Sequence, residues 1–311
     1  SSFIDGTCIV GTVDGNLILL PNNEIVYSDQ NNENNRWFLI SSYKTSAICS
    51  SRNKRLLFYS KAKFDNKNCS IIQIPATAIA ISLSEKTAIA VLGNSTLLLL
   101  SIPLLTIIST FDISDYFPTP HVTVTVCDPC FSTQNENPNT TVALAALSKV
   151  LIMEFNSDYI MQSKKMIETS TGDGFISLYF ANNTMLYCAG RLNGTISIIE
   201  RTKRQGQIDN SCWHLKTHYR IPWQSNNIFQ ICGYSNTAIV VALVKNNLAL
   251  FDMTTQTTIA RIPIDGNKKR LSLQVENSNF TLSYCDSKMV TLLSHSPCLS
   301  TQFVGQMFHG L

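Results

Sequence analysis

Cys127-Asp128-Pro129-Cys130 is a C-x-x-C, the spacing that can hold a metal ion or cycle between thiol and disulfide. A structural zinc site needs a second such pair, or histidines at suitable spacing. The nearest candidates, Cys212, His214 and His218, stand far along the chain. The simpler reading makes Cys127 the end of a strand and Pro129 part of a turn. Acid–base chemistry is poorly supplied, with five histidines in all. Asp158, Asp173, Glu200 and Asp252 could pair as glycosidase carboxylates, but each falls where a turn or strand end calls for a polar residue. The chain has no Gly-x-Ser-x-Gly elbow and no phosphate-cradling G-x-x-x-x-G-K-S/T loop. We therefore assign no catalytic, cofactor-binding or metal-binding residue and expect no cofactor.

Residues suited to holding a protein partner are easier to find. Arg201, Arg204, Trp213, Tyr219 and Trp223 cluster in one stretch, and Arg, Trp and Tyr are enriched at the centres of protein interfaces. We take these five as the candidate interaction surface. The alternative is that the aromatics pack an outer strand against its neighbour. Arg201-Thr202-Lys203-Arg204 is the best basic run, and it reads as a solvated loop.

Composition narrows the classes further. The formal net charge is +3, without the basic stripe of a nucleic-acid binder, so no nucleic-acid partner is expected. Charged residues are only 14% of the 311, and Asn, Ser and Thr supply the polarity. That balance suits short strands and polar turns. The longest apolar stretch, Thr96 to Ile108, is interrupted by Pro103 and falls short of the ~20 residues that span a bilayer. No transmembrane segment is expected.

Ten cysteines are scattered, several inside apolar runs, as reduced thiols of a cytoplasmic protein would be. Sequons at Asn68, Asn94, Asn139, Asn182, Asn193 and Asn279 keep an extracellular or luminal receptor open as a rival, and a propeller hydrolase is the other. Ser1 is not an initiator Met, and the chain reads as part of a longer one.

These residues must be positioned by a repeat. An apolar run, a turn and a second apolar run recur at Thr7–Leu20, Ser46–Ser60, Thr87–Ser101, Thr141–Phe155, Thr184–Ile199, Thr237–Asp252 and Phe280–Ser294. The copies start about 40 to 55 residues apart, near the period of four-stranded propeller units. Turn residues that accept positive φ sit at Asp14-Gly15, Gly93-Asn94 and Asn193-Gly194, with Asn53-Lys54, Ser148-Lys149, Asn246-Asn247 and Asp286-Ser287 as weaker versions. A strand precedes most hairpins and another follows, more polar, as an outer edge should be. The expected fold is all-β: one domain over residues 1–311, a seven-bladed β-propeller of four-stranded antiparallel blades. Ser132–Asn139 and Lys203–Ser211 are expected as exposed, mobile loops. The tail Leu299–Met307 should supply the last outer strand, and residues 1–4 a short first strand.

The pattern resembles a divergent WD-repeat propeller. The third strand of that family's repeat ends in Trp-Asp, approached here by Phe251-Asp252, with Glu154-Phe155 and Ile199-Glu200 standing in elsewhere. The opening Gly-His dipeptide is absent. The resemblance therefore implies that the family's Asp-His-Ser/Thr-Trp network is missing and that packing holds the blades. Ala78–Thr96 is also similar to the cryptic propellers of large membrane-trafficking scaffolds. Together these imply a non-catalytic, protein-binding scaffold in a larger cytosolic assembly.

Overall fold

The structure is a computed structural model. It describes residues 2–4, 7–12, 15–20, 22–28, 36–64, 67–117, 122–127, 140–169, 175–182, 184–190, 194–203, 211–221, 228–234, 239–244, 247–263, 270–276, 279–285, 289–295 and 304–309. Its regular elements are all β-strands. Among the described residues they pair into seven four-stranded antiparallel sheets, each a meander of four consecutive strands. The sheets span residues 2–27, 37–73, 78–112, 123–168, 175–220, 228–263 and 270–309, here called the first to the seventh. The chain divides into two compact units, 1–120 with 268–311, and 121–267. One holds the first, second, third and seventh sheets; the other holds the fourth, fifth and sixth.

Every apolar–turn–apolar copy read from the sequence is the central hairpin of one sheet. The physical reason shows in the burial. Thr87–Leu92 and Thr140–Ala146 are buried at every position, as inner strands that are apolar on both faces should be. Outer strands such as Thr106–Asp112 and Met161–Glu168 are mostly exposed and carry the polar residues.

The hairpins share a backbone device. Gly15, Lys54, Ser95, Leu147 and Gly194, one in each of the first five sheets, hold φ between 53° and 84°. That left-handed region is open to glycine and costly for other residues. At the third and fourth hairpins this residue is Ser95 and Leu147, one position away from the dipeptides that the turn chemistry favoured.

Cores lie between adjacent sheets. In the first unit, Ile9, Leu17 and Leu19 meet Trp37, Cys49, Leu57 and Tyr59, joining the first and second sheets. Ile48, Leu56 and Phe58 meet Ala88, Ala90, Leu98 and Leu100, joining the second and third. Trp37 is the key to the first seam. Its Nε1 donates to the Gly15 carbonyl at 2.8 Å, and a Cβ on Gly11 would lie 2.8 Å from the Trp37 Cβ. Only glycine leaves room for the Trp37 backbone and Cβ to come so close. Elsewhere in this unit, Ser2–Ile4 pairs with Thr7–Gly11 over Ser2↔Ile9, Phe3↔Cys8 and Ile4↔Thr7 and lies beside Arg270–Glu276. Val304–His309 pairs with Met289–His295 as the outermost strand of the seventh sheet. Both placements match the sequence reading where it falls on described residues; 299–303 lie outside them.

In the second unit, Ala143, Val150 and Ile152 of the fourth sheet pack on Phe180, Leu186, Cys188 and Trp213 of the fifth. Tyr187, Ile196, Ile198 and Tyr219 pack on Ile228, Ile231, Ala249 and Phe251 of the sixth. Ser132–Asn139 lies outside the described residues. Lys203 and Ser211 pair as the ends of two strands, and the positions between them are outside the described residues.

Candidate interaction surface

The stretch singled out for partner binding belongs to the fifth sheet's outer hairpin, Thr195–Lys203 paired with Ser211–Arg220. The basic run was expected in a loop. Instead Arg201, Thr202 and Lys203 are strand residues, opposite Trp213, Cys212 and Ser211. A buried carboxylate explains the difference, because it gives the arginine a reason to lie along the sheet.

That carboxylate is Glu154, on the strand Lys149–Phe155 of the fourth sheet, and it is 2% exposed. Ser163 Oγ, on the same sheet's outer strand, donates to Oε2 at 2.6 Å. Trp213 Nε1 donates to Oε1 at 3.1 Å. Arg201 Nε lies 2.9 Å from the same Oε1, an ion pair whose N–H is out of line for a hydrogen bond. Three neighbours from two sheets thus compensate one buried charge, the condition under which such a charge is tolerated. The expectation that packing alone joins the sheets needs correcting here. At this seam a polar cluster of Glu154, Ser163, Arg201 and Trp213 joins the two sheets. Reading the sequence missed Glu154 as a junction. The one signal was its stand-in position beside Phe155 at the end of an inner strand.

Trp213 and Tyr219 are both buried, at 2% and 6% exposure. Trp213 meets Phe180 edge-on at 6.1 Å, and Tyr219 meets Phe251 edge-on at 5.6 Å. An even spacing along one strand would put both rings on the same face. The pairing shifts register between Ile198 and Ile199, so Ile198 faces Thr217 while Ile199 faces Leu215. The extra residue, Lys216, turns the strand over. Trp213 consequently joins the core with the fourth sheet and Tyr219 the core with the sixth. Both rings therefore pack the outer strand against its neighbours, the alternative weighed for them in the sequence. Arg204 and Trp223 lie outside the described residues.

The outward side of this hairpin is polar. Lys216 Nζ donates to Glu200 Oε2 at 2.6 Å, and His214 Nε2 stands 3.7 Å from Oε1. Ser197 Oγ and His218 Nδ1 are 3.0 Å apart. Asp252 accepts hydrogen bonds from the Thr254 and Thr255 amides, which hold its carboxyl below the usual carboxylate range. Glu200 and Asp252 are thus engaged in turn and strand contacts. Asp173 lies outside the described residues.

Among the described residues no group of three His, Cys, Asp or Glu side chains could hold a metal ion. Cys127 ends the strand Thr123–Cys127, and Cys130 lies outside the described residues. Cys8, Cys49, Cys69, Cys127, Cys188 and Cys212 are free thiols, and burial pushes Cys49 and Cys188 strongly up. No helix among the described residues is long and apolar enough to cross a membrane.

No protein-family model matches the chain, and no curated protein matches it either. Solved structures do. A chain of the complex of KlAtg21 with the coiled-coil of AgAtg16 is similar with a TM-score of 0.66 at 14% identity, covering 98% of this chain and 97% of that one. KlAtg21 is a WD-repeat propeller, and the likeness shows a common fold. At 14% identity it shows nothing beyond the fold.

Proposed function

We propose that this chain is a non-catalytic protein-interaction scaffold in a larger cytosolic assembly serving membrane traffic, and that its sheets are the seven blades of one closed propeller domain. The observation that carries this reading is the fate of its chemically capable side chains. Glu154, Glu200, Asp252 and His218 each serve a strand or turn contact, as a fold whose work is to present a surface requires. The likeness to KlAtg21, solved with a coiled-coil partner, supports a propeller that holds proteins. The approach of Ser2–Ile4 to Arg270–Glu276 supports the first and seventh sheets being neighbours within their unit.

Of the five residues first singled out, Trp213 and Tyr219 stiffen the fifth blade and Arg201 is engaged by Glu154, while Arg204 and Trp223 lie outside the described residues.

The test is chemical cross-linking of the tagged protein in its own cells, followed by purification and gel filtration. A stoichiometric protein partner should co-elute with it, and the purified protein should not turn over ester, phosphoester or glycoside substrates. Turnover that is lost on substituting a carboxylate or histidine would overturn the reading.

A further inference from the structure

The central hairpin turn of the second sheet differs in charge from its counterparts. Arg52, Asn53 and Lys54 link Ser46–Ser51 to Arg55–Phe64. Arg52 and Lys54 are exposed, as is Arg36, whose carbonyl accepts the Arg52 amide at 3.4 Å. None of these three cations forms an ion pair with a described residue.

The backbone beneath them is held in place. The Arg52 carbonyl accepts from Thr77 Oγ1 at 3.4 Å, the Asn53 carbonyl from Gln73 Nε2 at 3.1 Å, and the Lys54 carbonyl from the Ile74 amide at 2.8 Å. Three consecutive carbonyls, each of which would repel an anion, are therefore occupied by the neighbouring chain. Among the described residues, no side chain engages the three cations. Lys54 also pays a conformational cost, with φ at 58° where the first and fifth hairpins use Gly15 and Gly194. A lysine in a position that suits glycine is more costly than the turn requires.

We propose that Arg36, Arg52 and Lys54 form a docking point for an acidic segment of a protein partner. This names the chemistry of a partner and so rests on the scaffold reading above. Arginine forks grip carboxylates in two-point contacts, and a fixed turn loses little freedom on binding. A peripheral membrane surface would add apolar side chains that enter the lipid interface. Here the residues bonded around the turn are Gln73, Thr77, through Thr77 Gly93, and Ile74, whose side chain is buried and so not offered to a lipid surface. A nucleic-acid track would extend over a longer basic stripe.

The test titrates the protein with a short fluorescein-labelled peptide rich in Glu and Asp, with its Gln/Asn counterpart, and with phosphatidylserine vesicles. The acidic peptide should bind at low salt and release at high salt, and the neutral one should not bind. Arg36→Gln/Arg52→Gln/Lys54→Gly should weaken that binding about tenfold or more. Lys54→Gly alone should weaken it while keeping or raising the thermal midpoint, so it carries the test if the triple variant misfolds. Unchanged peptide binding in the variants overturns the proposal. So does vesicle binding that depends on these residues without peptide binding, which would give the turn to membranes. Cross-linking with wild type and variant separates the two readings. A partner kept by the triple variant sinks the docking point alone, whereas no partner for the wild type sinks the scaffold.

Discussion

Trp213 Nε1 donates to Glu154 Oε1 at 3.1 Å, although 59 residues separate the two in sequence. The bond joins the outer strand of the fifth sheet to an inner strand of the fourth. Around it the same carboxylate meets Ser163 and Arg201. Removing Glu154 therefore strands an arginine, an indole N–H and a hydroxyl together. Glu154→Ala should cost about 3–5 kcal/mol, the range for breaking a buried pair from one side. Trp213→Phe keeps most of the packing and should cost about 1–3 kcal/mol for the unmade hydrogen bond. Urea denaturation of the two variants checks both the sizes and their order.

Gly11→Ala is a steric test of the first seam. The added Cβ would meet the Trp37 Cβ at 2.8 Å and its carbonyl oxygen at 3.0 Å, and neither atom is the free end of a flexible chain. The expected loss is about 1–3 kcal/mol. Trp37→Ala keeps the Cβ and carbonyl that the new methyl would meet but frees that backbone to shift, and the cavity left by the ring should cost about 3–5 kcal/mol. In the double variant the two losses should add up to less than their sum, measured in a double-mutant cycle.

Acid should weaken the fold through its capped turns. Asp112 and Asp252 have their carboxyls lowered, first by backbone hydrogen bonds from Ser114 and from Thr254. A carboxyl that is lower in the folded state lends stability above its unfolded value, about 3.9 for Asp, and loses it as pH falls through the folded value. NMR titration should give both residues midpoints below that of a free aspartate. Asp252→Asn should flatten the loss of stability in this acid range. Midpoints at the ordinary value would refute the capping role.

Thiol chemistry should report burial. Cys49 and Cys188 are buried and their thiols are pushed up, so the reactive thiolate is scarce there. They should resist iodoacetamide in the native protein and react only as it unfolds. Cys212, which is partly exposed, should be modified before either of them. Mass spectrometry of timed digests gives the order.

The hairpins were legible in the sequence because the inner strands bury both faces. Val142 to Ala146 has to be apolar throughout, and a turn has to follow. The candidate surface was much less legible. Arg201 to Lys203 looks like a loop until its partner Glu154 is known, and that partner lies in another sheet. Trp213 and Tyr219 share an even spacing that suggests one face. The bulge at Lys216 that separates them leaves no compositional trace, since a lysine on an outer strand is ordinary. The position of the left-handed turn residue was also missed by one at Ser95 and Leu147, where the backbone outweighed side-chain preference.

The short strand Ser2–Ile4 has a mechanical consequence. It is tied to Thr7–Gly11 across three residue pairs, in an antiparallel hairpin. Tension applied through its leading end would peel those pairs apart one after another, and unzipping of this kind resists less force than shearing them together. A load reaching the molecule from that side would detach this strand first, before the five-residue strand behind it gives way. The backbone edge of Thr7–Gly11 would then be the first that a pulled molecule uncovers.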